Sequence, residues 1–226
     1  MDDTINLIGD IVMRAKQSIV KRDGIGAEIS PFVVATNIDG EMIGFAQLAR
    51  PPKSAPDRYK KMAAAAYLMR TSWHAAMIGV ILEGYYSKRS VDDNPIEPDQ
   101  MAVKFASGDQ SVTECLSMLF HDQNDIPYAM TLPYRIDVGR VVKWSDDPIY
   151  VKGTQASGAL ASMLKTVMAE VECIPFTPAV PEEASLLAAS FEIHDLGFLV
   201  TCEGIGEGQE WLDQIQYGAK GRPDHE

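Results

Sequence analysis

Two histidine–aspartate pairs are the residues best suited to chemistry in this chain of 226 residues. His121 and Asp122 lie in the stretch LFHDQND, and His194 and Asp195 lie in the stretch EIHDLGF. Imidazole and carboxylate groups are ligands of divalent transition metals, so the two stretches together could hold one ion. Such a site requires the two stretches to be neighbours in the fold, which their spacing in the sequence does not establish.

The same pairs allow two further interpretations. In the first, four residues follow the ligand order of metal phosphohydrolases of the HD class: His74, His121, Asp122 and Asp195. That class builds its site on helices, whereas both pairs here are predicted at strand ends. In the second, each aspartate accepts backbone hydrogen bonds at a turn, and each histidine is half exposed at a strand corner. We favour turns and keep a metal-dependent hydrolase of a nucleotide or phosphodiester as the alternative.

Two glutamates that interrupt apolar segments are candidates for acid–base chemistry. Glu83 lies in the run AAMIGVILEGYY, and Glu114 lies in VTECLS. A carboxylate in an apolar segment is costly unless it is paired or hydrogen-bonded. Each side chain therefore either faces solvent on an edge strand or is a buried functional acid. Two inward-pointing carboxylates on adjacent strands could hold a cation or serve as acid and base.

Aromatic residues and net charge bear on the kind of partner. Trp73, Tyr85 and Tyr86 could line a recognition surface, because Trp and Tyr are favoured at interfaces, although a core or edge-strand role is the simpler interpretation. The net charge is −12, from 32 acidic and 20 basic side chains. Binding to a nucleic-acid backbone relies on basic residues, so we do not expect it, and the charge is compatible with a basic partner without indicating one.

The cysteines and the N-terminal residues indicate a compartment. Cys115, Cys173 and Cys202 are far apart in the sequence, so they predict no disulfide framework and suit a reducing cytoplasm. The first residues, MDDTINLIGDIVMRAK, are acidic and lack the continuous apolar core of a secretory signal. We therefore expect a soluble cytoplasmic protein that does not cross a membrane.

The N-terminal part predicts a helix and a hairpin that position these residues. Apolar residues at three- and four-residue spacing predict a helix over 3–20. Two apolar runs then flank Asp39-Gly40, a pair that tolerates the positive φ angles of a tight turn. We predict hairpin strands at 32–37 and 42–49.

The central part predicts a second helix followed by a strand. The helix begins after Ser54 and ends near Trp73, and its alanine-rich sequence has strong helix propensity. Residues 78–86 are rich in β-branched and aromatic side chains and favour a strand, with one helix reaching into the eighties as the alternative. The polar stretch 90–110 contains two prolines and is predicted to be a loop.

A second hairpin completes the predicted sheet. Its arms span about 112–120 and 127–136, with residues 121–125 in the turn, and GRVVKWS is a further strand. The order helix-hairpin-helix-strand-hairpin predicts an α+β fold, in which helices pack on one face of a mostly antiparallel sheet.

The composition changes near residue 150, where we place a soft domain boundary. Residues 1–150 are predicted to form the sheet domain, and 151–218 a helix-rich part that packs on it or stands alone. Helices are predicted from Thr154, over 182–190 and near the C-terminus, with a strand at GFLVTCE. Residues 219–226 are predicted to be a disordered tail.

Three stretches between residues 30 and 130 resemble small uncharacterised α+β proteins of phages and bacterial mobile elements: FVVATNIDGEMIGFAQLA, GVILEGYYS and VTECLSMLF. The resemblance brings no activity with it. No spacing fits a nuclease, a phosphate loop or a nucleophile elbow, so we lean against an enzyme and expect no cofactor. We predict an acidic interaction protein that self-associates and acts on a protein partner. The alternatives are the metal-dependent hydrolase and an oligomer that sequesters a small ligand.

Overall fold

A computed structural model of the chain describes residues 2–87, 98–122, 127–152 and 190–201. The helices are α1 (Asp2–Asp23), α2 (Ala55–Ser72) and α3 (Pro98–Ala106), and residues 190–195 are also helical. The strands are β1 (Phe32–Thr36), β2 (Met42–Leu48), β3 (Met77–Ser87), β4 (Val112–Asp122), β5 (Pro127–Ile136), β6 (Val142–Trp144), β7 (Ile149–Lys152) and β8 (Phe198–Thr201).

The eight strands of the described residues form one open sheet. From edge to edge, the strands follow the order β6-β5-β4-β3-β1-β2-β8, and β7 pairs with the outer side of β5 beside β6. Each of these pairings is antiparallel. The α+β class and the mostly antiparallel sheet predicted from the sequence are therefore confirmed.

The first hairpin forms where the sequence predicts it. In its turn, the side-chain oxygen of Asn37 accepts hydrogen bonds from the backbone N–H groups of Asp39 and Glu41, at 3.0 and 2.9 Å. Gly40 has a φ of +83°, a left-handed conformation that glycine adopts without strain. The Asp39-Gly40 signal thus corresponds to a real turn with satisfied polar groups.

The segment after α2 is a strand and not a continuation of the helix. α2 ends at Ser72, and its C-cap residue Trp73 donates its backbone N–H to the carbonyl of Met69. β3 then pairs with β1 on one side and with β4 on the other, so it is central in the sheet. The alternative of one helix reaching into the eighties is wrong, because this β-branched segment gains two strand partners.

The helices lie on both faces of the sheet, so the prediction that they pack on one face is wrong. α1 covers the face that carries Phe32 and Val34, and α2 covers the face that carries Val33 and Ala35. All residues of β1 are buried. Side chains alternate along a strand, so an uninterrupted apolar strand such as FVVAT implies burial on both sides. That pattern is the signal in the sequence for a layer of helix on each face.

Two further elements differ from the sequence prediction. α3 occupies part of the stretch 90–110 that was predicted to be a loop. Its first residue is Pro98, and proline is compatible with the first turn of a helix because that position needs no N–H donor. β7 begins directly after Pro148, where the sequence suggested a boundary, and it adds to the sheet by pairing with β5.

The C-terminal part joins the sheet through β8. Phe198 pairs with Leu48 of β2, and Ile193 and Phe198 are buried in the core on the α2 side. Strand β8 lies within the predicted strand GFLVTCE, and Ser190, the last residue of the predicted helix 182–190, is helical. The helices predicted from Thr154 and near the C-terminus, and the tail 219–226, lie outside the described residues.

Candidate functional site at the end of the sheet

The first histidine–aspartate pair belongs to a strand and is buried. His121 and Asp122 end β4, opposite Ile78 and Met77 of β3, and each is 2% exposed. Asp122 accepts a hydrogen bond of 3.4 Å from the hydroxyl of Tyr128, and His121 Nδ1 lies 3.2 Å from the carbonyl oxygen of Asp122. The expectation of a half-exposed histidine at a turn is therefore wrong for His121. Strand β4 continues through His121 and Asp122, two residues past the predicted strand end near residue 120.

The second pair has the opposite environment. His194 and Asp195 end the helical residues 190–195 and precede β8, so they lie at a helix end and not at a strand end. Their side chains are 68% and 88% exposed, and His194 Nδ1 lies 3.9 Å from Asp195 Oδ1. An exposed pair at this separation contributes little to stability.

The structure does not bring the two pairs together. β4 and β8 are separated by β3, β1 and β2 in the sheet. At the usual spacing of about 4.8 Å between neighbouring strands, β4 and β8 are roughly 19 Å apart. Among the described residues, no group of three or more His, Cys, Asp or Glu side chains is arranged to hold a metal ion. A single ion bridging the two stretches is therefore not supported by this geometry.

The three aromatic candidates occupy different environments. Trp73 is 1% exposed and packs in the core on the α2 side, so it does not contribute to a surface. Tyr85 and Tyr86 point to opposite faces of β3 because side chains alternate along a strand. Tyr85 is 37% exposed, and its ring lies 5.1 Å from that of Phe105 in α3. Tyr85 and Phe105 together form an exposed aromatic pair over the end of the sheet.

Glu83 is a buried acid that is paired with a buried lysine. Lys16 Nζ lies 2.7 Å from Glu83 Oε1, and the two side chains are 1% and 10% exposed. The same ammonium group donates a hydrogen bond of 2.7 Å to the carbonyl of Ala27 and lies 4.9 Å from the centre of the Tyr134 ring. Lys16 therefore connects α1, the α1–β1 connection, β3 and β5 through one charge.

Burial dominates the electrostatics of Glu83. Removal from water raises the pKa of Glu83 to about 7, although the charge of Lys16, its hydrogen bond and the backbone N–H of Ile29 act in the opposite direction. Glu28 adds a smaller upward contribution, because it is a second negative charge nearby. Glu83 can therefore exchange a proton close to neutral pH.

Glu114 and two tyrosines share the face of the sheet with Glu83. Glu114 of β4 lies opposite Tyr85 of β3 and opposite Tyr134 of β5. Burial raises the pKa of the half-buried Glu114, and it also raises the pKa of both tyrosines, with Glu114, Glu83 and Glu28 adding to the effect. We refer to Lys16, Glu28, Glu83, Glu114, Tyr85, Tyr134 and Phe105 as the acidic-aromatic site.

The acidic-aromatic site has an inner and an outer part. In the inner part, Lys16 fills the space between Glu83 and Tyr134 and is out of reach of solvent. In the outer part, Tyr85 and Glu114 are partly accessible. Cys115 lies on the other face of β4, and burial raises the pKa of its thiol to about 11, so it is not a nucleophile for this site. The arrangement suits binding and proton exchange.

The sequence predicted only part of this site. Glu83, Glu114 and Tyr85 were candidates, whereas Lys16, Glu28, Tyr134 and Phe105 were not. Lys16 has a signal in the sequence, because it falls on the apolar stripe of α1, four residues after Val12 and three before Ile19. A lysine on such a stripe must be paired when the stripe is buried.

No family model, curated protein or solved structure matches the chain. Among the described residues, there is also no helix whose length and apolar character would allow it to span a membrane. The functional interpretation therefore depends on the geometry of the acidic-aromatic site.

Proposed function

We propose that this chain is an acidic interaction protein of the cytoplasm, which binds a protein partner through the outer part of the acidic-aromatic site. The observation that carries the proposal is the exposed aromatic pair of Tyr85 and Phe105, with the half-buried Glu114 next to it. Self-association and an accessory role in a phage or mobile element are further parts of the proposal.

The exposed apolar residues support a contact surface at this position. Tyr85 and Phe105 are each 37% exposed, and Val103, also in α3, is 69% exposed. Large aromatic side chains lose little conformational entropy on binding and are enriched in the residues that dominate interface energetics. Their exposure on two packed elements, a strand and a helix, provides a rigid platform.

The metal-dependent hydrolase is the weaker candidate, since its two histidine–aspartate pairs lie in distant parts of the fold, one at the end of β4 and the other at a helix end before β8. A native mass spectrum of the freshly purified protein, with no metal added, tests both alternatives. Excess mass equal to a divalent ion would support the hydrolase, and excess mass equal to a small molecule would support a ligand-sequestering oligomer. A protein-only mass supports the interaction protein, and the same spectrum reports whether the chain self-associates.

Peptide binding tests the proposed surface directly. We expect fluorescence anisotropy to show binding of short labelled peptides that combine basic and apolar residues, and we expect Tyr85→Ala to weaken it at least about tenfold. Tyr67→Ala is the matched control, because Tyr67 lies on α2, on the other side of the sheet, and is 39% exposed. Equal affinity for the two variants would contradict the proposal.

A further inference from the structure

We infer that the outer part of the acidic-aromatic site receives an arginine side chain of the partner, held between the Tyr85–Phe105 rings and the carboxylate of Glu114. This inference rests on the proposed function and names the chemical group that the surface recognises. Two observations carry it: a filled copy of the same arrangement within the chain, and the charge around the open copy.

The filled copy lies in the inner part of the site. There, an ammonium group of this chain contacts a carboxylate at 2.7 Å and an aromatic ring at 4.9 Å, through Glu83 and Tyr134. Glu114 and Tyr85 repeat this combination of carboxylate and ring directly beside it, in opposite positions of β4 and β3. The protein thus fills one carboxylate–tyrosine pair with its own lysine and leaves the neighbouring pair accessible.

The charge of the open copy is uncompensated within the described part of the chain. No described lysine or arginine forms an ion pair with Glu114 or Glu28. Burial raises the pKa of Glu114, and Lys16, which is already bound to Glu83, lowers it to a smaller extent. Burial raises the pKa of Tyr85, and the charges of Glu114, Glu28 and Glu83 add to the effect, although Lys16 is paired with Glu83. A positive charge placed over the ring would therefore be attracted by Glu114 and Glu28.

The ring and the carboxylate of the open copy favour a guanidinium group. A guanidinium group offers five N–H donors in a plane, stacks on aromatic rings and binds carboxylates with two parallel hydrogen bonds. Arginine can thus satisfy the ring and the carboxylate at once, whereas an ammonium group is less well matched.

The test compares peptides that differ in one group. Each arginine peptide that binds is synthesised again with citrulline, which has the same shape as arginine but no charge, and with lysine. We expect citrulline to weaken binding to the wild-type protein at least about tenfold, with the lysine peptide between the two. Against Glu114→Gln, the arginine and citrulline peptides are expected to bind with nearly equal affinity.

The outcomes separate this inference from the proposed function. If no peptide binds in a manner that depends on Tyr85, the proposed function fails. If peptides bind through Tyr85 but the citrulline versions bind as well as the arginine versions, the proposed binding surface is supported and the inference of a bound arginine is overturned. A citrulline effect of the same size in Glu114→Gln as in the wild type also overturns it. Asp195→Asn is the control for loss of net charge, because the side chain of Asp195 is 88% exposed and lies outside the acidic-aromatic site. Circular dichroism verifies that each variant is folded.

Discussion

The inner and outer parts of the acidic-aromatic site contain the same types of residue, but their surroundings give them different roles. Both combine a carboxylate with a tyrosine on one face of the sheet. Around Glu83, the helix α1 excludes water and supplies Lys16 as the counter-ion. Around Glu114, the chain supplies no counter-ion among the described residues and leaves Tyr85 accessible. Residue type alone therefore does not distinguish a structural ion pair from a binding surface; burial by the covering helix does.

Breaking the inner pair is expected to have the largest effect on stability. Lys16→Met leaves the buried carboxylate of Glu83 without its partner, and the loss of one member of a buried pair costs about 3–5 kcal/mol. Glu83 can limit this loss by taking up a proton, so we expect a decrease of about 3 kcal/mol in the free energy of unfolding, measured with urea. The double variant Lys16→Met with Glu83→Leu should recover most of the loss. A single variant as stable as the wild type would show that the pair is not structural.

The pH dependence of stability should also depend on Glu83. Its pKa is about 7 in the folded protein against an ordinary value of 4.5, so the folded state binds the proton more tightly than the unfolded state. Stability contributed by this group is therefore complete below about pH 4.5 and is lost as the pH rises through about 7, on the order of 3 kcal/mol in total. Urea unfolding between pH 5 and 8 measures how the free energy of unfolding changes with pH, and Glu83→Gln should remove most of this dependence. A slope of opposite sign would mean that Lys16 outweighs burial.

A packing variant away from the charges provides the control for general destabilisation. A Cβ atom added at Gly79 would lie 2.4 Å from the Phe120 ring and 2.7 Å from Val34 Cγ1. Gly79→Ala is therefore expected to cost about 1–3 kcal/mol through overpacking. Its slope of stability against pH between 5 and 8 should equal that of the wild type. A changed slope would show that the dependence reports loosening of the whole core and not Glu83.

The outer part should tolerate substitution. Glu114→Gln removes a half-buried carboxylate that has no ion-pair partner among the described residues, so we expect the free energy of unfolding to change by no more than about 0.5 kcal/mol. Its effect is expected on binding of basic peptides instead. A large loss of stability in Glu114→Gln would place Glu114 with Glu83 as a structural group and remove the distinction between the two parts.

The sequence predicts local structure better than it predicts the site. The helical periodicity of α1 and the Asp39-Gly40 turn are properties of short segments, and both are confirmed. The juxtaposition of Glu83 and Glu114 depends instead on the register of β3 against β4, which pairs Tyr85 with Glu114 across a long connection. Register is determined by packing of the whole sheet, so no local pattern contains it.

The burial of His121 shows the same limit for the first histidine–aspartate pair. Its neighbours Asp122 and Asn124 make the stretch look like a polar turn, and a turn is expected to be exposed. In the fold, His121 lies between β3 and β5, opposite Pro127 and opposite Ile78, and Ile78 is distant in the sequence, so the local pattern does not reveal the burial of His121.

The position of β8 has a consequence for the order of folding during synthesis. β8 pairs with the outer edge of β2, and Phe45 lies opposite Thr201, so this contact joins residues from distant parts of the chain. The ribosome releases the N-terminal part first, and strands β1 to β7 can assemble before β8 emerges. During that interval the backbone N–H and C=O groups of β2 face no strand, a condition that invites pairing with another nascent chain. A chaperone that shields this edge would protect the protein until residues 198–201 close it.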